Sequence, residues 1–178
     1  ILSSARAALG ADRLLLFEHH RRERVNRLVR EVHDGEDFEL SMEQGIVGMA
    51  TRNKRVVTSS RGREMREFDS SWDDSHQQNT YAVLCCPIFA PYVGALLGCL
   101  EASNKNTESP TFGAGEELII RAASTQIARL MMLEMARRSG TNAVHILEEL
   151  RIEQEKSWAI ELIQRRFRFC LRTSHHIE

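Results

Sequence analysis

Few residues in this sequence have the types and spacing that catalysis requires. The four cysteines are Cys85, Cys86, Cys99 and Cys170, and none belongs to a CxxC pair. If Cys85 and Cys86 lie on a strand, their side chains point to opposite faces. The sequence contains no HExxH or GxSxG motif, no phosphate-binding loop and no set of His and Cys at metal-ligand spacing. We therefore expect buried, reduced thiols in a cytoplasmic protein, no cofactor or metal, and no enzymatic activity in this chain.

The charged residues do not indicate a nucleic-acid or membrane partner. Five arginines cluster early in the chain and suggest either a phosphate site or a solvated hairpin: Arg21, Arg22, Arg24, Arg27 and Arg30. No aromatic residues are interleaved with them, which favours the hairpin. The formal net charge of −1 predicts no general attraction to nucleic acid or anionic lipid. No apolar run approaches the ~20 residues of a membrane span, and the start at Ile1 suggests a fragment of a longer protein.

The spacing of the apolar residues predicts an α+β fold. We expect strands at 14–17 and 27–32, joined by a polar hairpin, a brief strand at 55–58, and a central pair at 82–89 and 95–102 that is buried on both faces. Helices are expected at 3–9, 45–53 and 116–138. Residues 59–80 are polar and are predicted to be irregular, which in a compact domain usually indicates a functional or mobile segment.

The chain is predicted to have two parts, which meet close to Gly140. Residues 1–138 are expected to form one domain and residues 139–178 a C-terminal helical extension, capped by Thr141 or Asn142. The predicted buried stripe of the long helix comprises Ile119, Ala123, Ile127 and Leu130, widened by Leu118, Ala122, Met132 and Met135. The apolar area on these helices exceeds what one sheet needs, so we expect a homodimer through a helical bundle.

Four sequence blocks, in the same order along the chain, resemble the GAF domain family. Residues 10–17 are similar to the first strand of the family, and residues 32–35 to the end of its second strand. Residues 44–48 resemble its first pocket helix, and residues 84–88 its fourth strand. The resemblance covers about residues 3–138. It implies an antiparallel sheet of about six strands with helices on both faces, as in profilin and PAS folds.

Within this family, the sequence is most similar to the regulatory GAF domains of cyclic-nucleotide phosphodiesterases and related cyclases. Those domains carry an Asn-Lys pair, a Phe and an acidic pair, which here are Asn104, Lys105, Phe112 and Glu116-Glu117. Glu116 replaces the aspartate of the family. The resemblance implies a structural role for these residues. An ion pair between Lys105 and Glu116 would tie the last strand to the long helix, with Phe112 as a hydrophobic plug.

The resemblance also implies a ligand site between the sheet and the short helices, with a phosphate near helix N-termini. The residues that correspond to ligand contacts in cyclic-nucleotide-binding relatives are His33, Asp34, Ile46, Val47, Asp74, His76 and Thr80. The two aspartates have an alternative role as turn or solvated loop residues. Leu15 stands where relatives often place a hydroxyl against the base, and it cannot form hydrogen bonds. Cyclic GMP is therefore disfavoured, whereas cyclic AMP or another small molecule stays open.

These observations predict a regulatory, small-molecule-sensing domain of a larger signalling protein, which itself could be an enzyme such as a phosphodiesterase. The first candidate ligand is a cyclic nucleotide. Its binding would order residues 59–80, and the long helix would carry the change to a neighbouring domain. The alternative is a ligand-free GAF module that acts in dimerisation and interdomain spacing.

Overall fold

One antiparallel sheet organises the part of the chain that the computed structural model describes, residues 1–20, 23–30, 39–41, 44–76, 78–105, 111–142, 144–148, 151, 152 and 155. The elements, in chain order, are α1 (Leu2–Leu9), β1 (Ala11–His20), β2 (Val25–Arg30), β3 (Glu39–Ser41), α2 (Gly45–Asn53), β4 (Val57–Ser59), a 3-10 turn (Gly62–Glu64), α3 (Ser71–His76), β5 (Val83–Phe89), β6 (Leu96–Lys105) and α4 (Ala114–Ser139). The six strands lie in the order β3-β2-β1-β6-β5-β4, and all neighbours are antiparallel. The predicted α+β fold with about six antiparallel strands is confirmed.

Each face of the sheet carries its own apolar core, which explains why the central strands are continuously apolar. In β1, Leu14 and Leu16 belong to the core that includes residues of α1 and α4. The alternating residues Leu15 and Phe17 belong to the core that includes residues of α2. Helices therefore lie on both faces, as predicted, and β1, β5 and β6 are buried between them.

The buried stripe of the long helix α4 overlaps the predicted one in part, at Ala123, Ile127 and Met132. Its buried residues are Ile120, Ala123, Ser124, Ile127, Ala128, Met132 and Ala136. Leu118 and Leu130, which the sequence analysis placed on the buried side, are 70% and 51% exposed. Apolar residues occur around much of this helix. Periodicity alone therefore did not determine which face meets the sheet.

The segment 59–80 is more regular than the sequence predicts, because it contains the 3-10 turn and α3. After this segment the chain enters β5 at Val83. The buried side chain of Asp73 in α3 accepts two hydrogen bonds from Thr80, at the start of the chain that leads into β5. A helix of six residues is too short to be stable alone, so tertiary contacts decide its formation.

The long helix α4 is followed by a turn and a few further helical residues. Gly140 ends α4 in the left-handed conformation, with φ of 67°. Asn142 then accepts a hydrogen bond from the backbone N–H of His145 at 2.8 Å, and residues 144–148 are helical. Residues 156–178 of the predicted extension lie outside the described residues. In the described part of the chain, no helix is both long and apolar enough to cross a membrane.

Candidate functional site

A small cavity lies between the sheet, the start of α2 and the segment 59–80. Its volume is about 40 Å³. Its lining is apolar at Leu15, Phe17, Leu40, Gly45, Ile46, Phe68 and Val83, and polar at Arg13, Asp69, Asp73, Thr80 and Glu101. A single water needs roughly 10–15 Å³ of such space, whereas typical ligand pockets measure about 300–1,000 Å³. In this conformation the cavity accommodates a chemical group of a few atoms.

One wall of the cavity is a network of polar side chains, Arg13, Asp73, Thr80, Glu101 and Ser103, which we call the Arg13 cluster. Nη2 of Arg13 donates to the hydroxyls of Thr80 and Ser103, each at 3.1 Å. The same nitrogen lies 3.9 Å from Oδ1 of Asp73 and 3.8 Å from Oε1 of Glu101. Arg13 therefore sits between two carboxylates, where attraction between charges is stronger than in water.

Asp73 connects α3 to the sheet. Its Oδ2 accepts the backbone N–H of Thr80 and its Oδ1 accepts the hydroxyl of Thr80, both at 2.8 Å. Nε of Arg63 lies 3.6 Å from Oδ2, and the side chain of Asp73 is only 2% exposed. A buried carboxylate is tolerated when it is hydrogen-bonded and paired with a cation. These contacts therefore hold α3 against the start of β5.

Glu101 lies in the middle of the interior strand β6, opposite Leu15 of β1 and Cys85 of β5. Its Oε1 accepts the hydroxyl of Ser103 at 3.1 Å. Its Oε2 is contacted by the thiol of Cys85 at 3.9 Å, which is a weak interaction. Burial raises the pKa of Glu101, and the Arg13 guanidinium opposes this shift only in part. The charged form of Glu101 is therefore incompletely compensated by the protein.

Cys85, Cys86 and Cys99 are free, buried thiols of the central strands. Cys85 and Cys99 lie on the α2 side of the sheet, whereas Cys86 lies on the other side, 3.6 Å from the hydroxyl of Ser124. Burial raises the pKa of Cys85 well above its usual value and that of Cys86 to about 11. The thiolate is the nucleophilic form, so Cys85 and Cys86 are poor nucleophiles at neutral pH. Among the described residues, no group of three or more His, Cys, Asp or Glu side chains is arranged to hold a metal ion.

Three of the predicted ligand residues lie in or beside the cavity. Ile46 lines it, and Val47 is fully buried in the apolar core next to it. Thr80 is 2% exposed and belongs to the Arg13 cluster. The positions of Ile46 and Thr80 are compatible with ligand contact, and that role stays a prediction.

The other predicted ligand residues are placed differently. Asp74 is exposed, and its carboxylate accepts a hydrogen bond from the hydroxyl of Ser70 at 2.7 Å, so it is the neighbouring Asp73 that lines the cavity. His76 belongs to α3, and its side chain lies outside the described part of the structure. His33 and Asp34 are also outside the described residues.

The predicted ion pair between Lys105 and Glu116 joins the end of β6 to the start of α4. Nζ of Lys105 lies 2.7 Å from Oε1 of Glu116, and Oε2 of Glu116 accepts the backbone N–H of Gly113 at 2.8 Å. The hydrogen bond from Lys105, followed by that from Gly113, lowers the pKa of Glu116 to about 2. Phe112 is 6% exposed and packs in the core on the α4 side. These contacts tie the end of β6 to the start of α4.

Asn104, the remaining residue of this motif, fastens the chain that leads into β5. Its side-chain oxygen accepts the backbone N–H of Tyr81, and its side-chain nitrogen donates to the carbonyl of Asn79, both at 2.9 Å. Its φ of 54° lies in the left-handed region, which asparagine tolerates better than most residues. Asn104 thus holds the segment beside Thr80 in position.

Arg13, Asp73 and Glu101 were not among the site residues predicted from the sequence. Arg13 and Glu101 do leave a signal, because each is a charge at an inward-facing position of a mostly apolar strand. Charged side chains at such positions are rarely buried unless they are paired. The sequence does not show that Asp73 is a partner of Arg13, because the direction of the Asp73 side chain depends on how α3 packs.

One family model and several solved structures are similar to this chain. Residues 1–131 match the sequence model of the GAF domain. The structure is similar to the GAF domain of a phosphoenolpyruvate-protein phosphotransferase from Coxiella burnetii, with 18% identity and a TM-score of 0.64 over 78% of this chain and 81% of that chain. It is also similar to free methionine-R-sulfoxide reductase from Neisseria meningitidis, with 14% identity and a TM-score of 0.60 over 78% of this chain and 76% of that chain. A third similar structure is the second GAF domain of DevS from Mycobacterium smegmatis, with 16% identity and a TM-score of 0.58 over 79% of this chain and 94% of that chain. No curated protein sequence matches the chain.

Proposed function

Because this chain belongs to the GAF domain family, a family of sensing and signalling modules, we propose that it is a regulatory domain whose ligand site is the cavity beneath the segment 59–80. The observation that carries this proposal is the Arg13 cluster, in which opposite charges are brought together on the wall of a cavity. Buried charges are costly for stability, and they concentrate where a protein binds or reacts. We propose binding without catalysis, which agrees with the raised pKa values of Cys85 and Cys86.

The cluster also offers a route for regulation. Asp73 holds α3 through Thr80 and lies on the cavity wall, so a ligand in the cavity changes the surroundings of the group that keeps α3 in place. Glu101 and Lys105 belong to the same strand, and Lys105 is paired with Glu116 at the start of α4. A ligand that binds two arrangements of α3 with different affinity would shift the population between them. The long helix α4 would carry that shift to a neighbouring domain.

A cyclic nucleotide is the candidate that the sequence resemblance suggests, and it would require a larger site. The present cavity of about 40 Å³ is several-fold smaller than pockets for ligands of that size. Residues 59–80 would have to move outward, and the carboxylates of Asp73 and Glu101 would have to be kept away from the phosphate. Ligands of a few atoms fit the present conformation without such a movement.

Thermal unfolding against a panel of ligands tests the sensing proposal. The panel contains cyclic AMP, cyclic GMP and small amines, carboxylates and alcohols, with non-cyclic AMP as the control for unspecific nucleotide effects. A specific ligand at about a hundred times its Kd stabilises the folded state by roughly 2.7 kcal/mol. For a domain of this size, we expect Tm to rise by roughly 5–10 °C. An unchanged Tm with every member of the panel contradicts a small-molecule sensing role.

A second candidate function, dimerisation and interdomain spacing, is favoured by the exposed apolar residues of α4. Leu118, Leu130 and Leu133 are 70%, 51% and 57% exposed. Val144, in the helical residues that follow Gly140, is 73% exposed. Several large apolar side chains exposed on one helix are typical of a protein interface. A homodimer through these helices is compatible with ligand sensing, and it would be the main function if no ligand binds.

A further inference from the structure

We infer that the cavity binds the ammonium group of a small organic cation, and that the carboxylate of Glu101 is its anchor. This inference rests on the proposed sensing function and names the ligand class of that site. It follows from the charges on the cavity wall, from how far each charge is compensated within the protein, and from the shape of the apolar wall.

Three carboxylates occur among the described lining residues, and two of them, Asp73 and Asp69, accept hydrogen bonds from the backbone. Asp73 accepts two hydrogen bonds from Thr80 and lies within 4 Å of Arg13 and Arg63. Asp69 accepts the backbone N–H of Ser71 at 2.9 Å. Neither carboxylate needs a ligand to explain its stability.

Glu101 differs from Asp73, because only its Oε1 accepts a hydrogen bond from a hydroxyl. Arg13 is shared between Asp73 and Glu101, at 3.9 and 3.8 Å, so one guanidinium faces two carboxylates. The weak contact from the thiol of Cys85 leaves Oε2 of Glu101 able to accept a charged donor. Among the described residues, Arg13 on the wall and Arg63 beside Asp73 face the carboxylates of Asp69, Asp73 and Glu101, so two cations face three carboxylates and the wall is formally negative. It therefore attracts a cation and repels an anion.

The remaining wall suits the carbon skeleton of such a cation. Leu15 and Phe17 of β1 and Ile46 of α2 are almost fully buried, and Phe68 faces them from the segment 59–80. A volume of about 40 Å³ admits a short alkyl group but not a large ring system. An ammonium group carries three hydrogen-bond donors and a full charge, so it can donate a charge-assisted hydrogen bond to Oε2 of Glu101. The geometry thus favours a short alkylammonium over a neutral or anionic compound.

Titration followed by NMR chemical shifts tests the inference with ethylammonium as the probe, and with ethanol and acetate as neutral and anionic compounds of the same size. The variant Glu101→Gln keeps the size and one acceptor oxygen while it removes the charge. Glu117→Gln is the matched control, because Glu117 lies on the surface of α4 and pairs with Arg121. We expect saturable binding of ethylammonium to the unchanged protein and to Glu117→Gln, and at least a tenfold higher Kd in Glu101→Gln.

Each other outcome overturns the inference. Equal affinity for ethylammonium in the unchanged protein and in Glu101→Gln would show that the carboxylate is not the anchor, and equal affinity for ethanol would show that charge is not recognised. Binding of acetate or cyclic AMP without binding of ethylammonium would overturn the cation class and leave the sensing function intact. Failure of all these probes, and of the whole ligand panel, would overturn both. The amide fingerprint of Glu101→Gln shows whether that variant is folded.

Discussion

At the residue scale, Asp73 and Asp74 are adjacent and chemically identical, yet their surroundings differ completely. Asp73 is 3% exposed and is bonded to Thr80, whereas Asp74 is exposed and is bonded to Ser70. The difference arises because α3 turns one carboxylate towards the sheet and the other towards solvent. Buried hydrogen-bonded charges are costly to break, while exposed ones contribute little.

We predict that Asp73→Asn lowers the free energy of unfolding by about 1–3 kcal/mol, since it removes a charged acceptor from beside Arg13 and Arg63. Asp74→Asn is the matched control and should change it by less than about 0.5 kcal/mol. Urea denaturation of the two variants measures both values. Equal losses would contradict the different roles assigned to the two carboxylates.

At the scale of elements, two contacts decide how the strands and the long helix fit together. One is the ion pair between Lys105 and Glu116, which joins β6 to α4. The other is the close approach of β1 and β6 at Gly98, which pairs with Glu18. The ion pair lies outside the cavity lining, whereas Gly98 approaches the backbone of Phe17, whose side chain lines the cavity.

The ion pair predicts a dependence of stability on pH. The lowered pKa of Glu116, about 2 against a usual value of 4.5, means that its contribution is fully present above pH 4.5 and is lost as the pH falls towards 2. We expect Glu116→Gln to be less stable by up to about 1 kcal/mol at pH 7. The difference from the unchanged protein should shrink below pH 4.5 in urea denaturation. A difference of the same size at pH 7 and pH 3 would show that the charge of Glu116 is not involved.

Gly98 predicts a steric effect. A Cβ at this position would lie 2.1 Å from the carbonyl oxygen of Phe17, so β1 and β6 would have to separate. We expect Gly98→Ala to lower the free energy of unfolding by about 1–3 kcal/mol, as overpacking does elsewhere. Gly115→Ala is the control, because nothing lies within 4 Å of its Cβ position and alanine favours helix α4 by up to about 1 kcal/mol. Thermal unfolding of both variants gives the comparison, and an unaltered Tm for Gly98→Ala would contradict the described strand pairing.

At the scale of the whole molecule, the exposed face of α4 is the feature that a single domain does not explain. We predict that the protein is a dimer at micromolar concentration, and that the double variant Leu130→Glu with Leu133→Glu is a monomer. In a helical bundle the two introduced glutamates would be buried without partners, which destabilises the dimer. In a single chain both positions are exposed, so the fold of the monomer should tolerate them. Sedimentation velocity measures the change. Ser60→Glu, at an exposed position outside α4, is the control and should stay dimeric.

Two results would contradict the dimer. If the unchanged protein sediments as a monomer at high concentration, the exposed face of α4 does not bind a second copy of the chain. A double variant that remains dimeric would place the interface elsewhere. In either case the sensing proposal would be unaffected, because the cavity is formed within one chain.

Local signals in the sequence were sufficient for the family and for the main helices and strands, but not for β3, the 3-10 turn or α3. The continuous apolar runs of β5 and β6, the glycine that ends α4, and the pair Lys105 and Glu116 all depend on neighbours a few residues away or on a short motif. Periodicity also indicated a sheet covered on both sides, because a strand with one solvent face alternates. The fold class and the GAF resemblance therefore followed from the chain itself.

Only the tertiary structure decided which side chains form the candidate site. Arg13 meets Thr80 across 67 residues and Ser103 across 90, so their contact depends on strand register and on the position of α3. The buried stripe of α4 and the choice between Asp73 and Asp74 depend in the same way on which surface packs against the sheet. A sequence determines the local preference of each segment. The packing of distant segments determines which charges are buried together, because their pairing energy exists only after the elements have assembled.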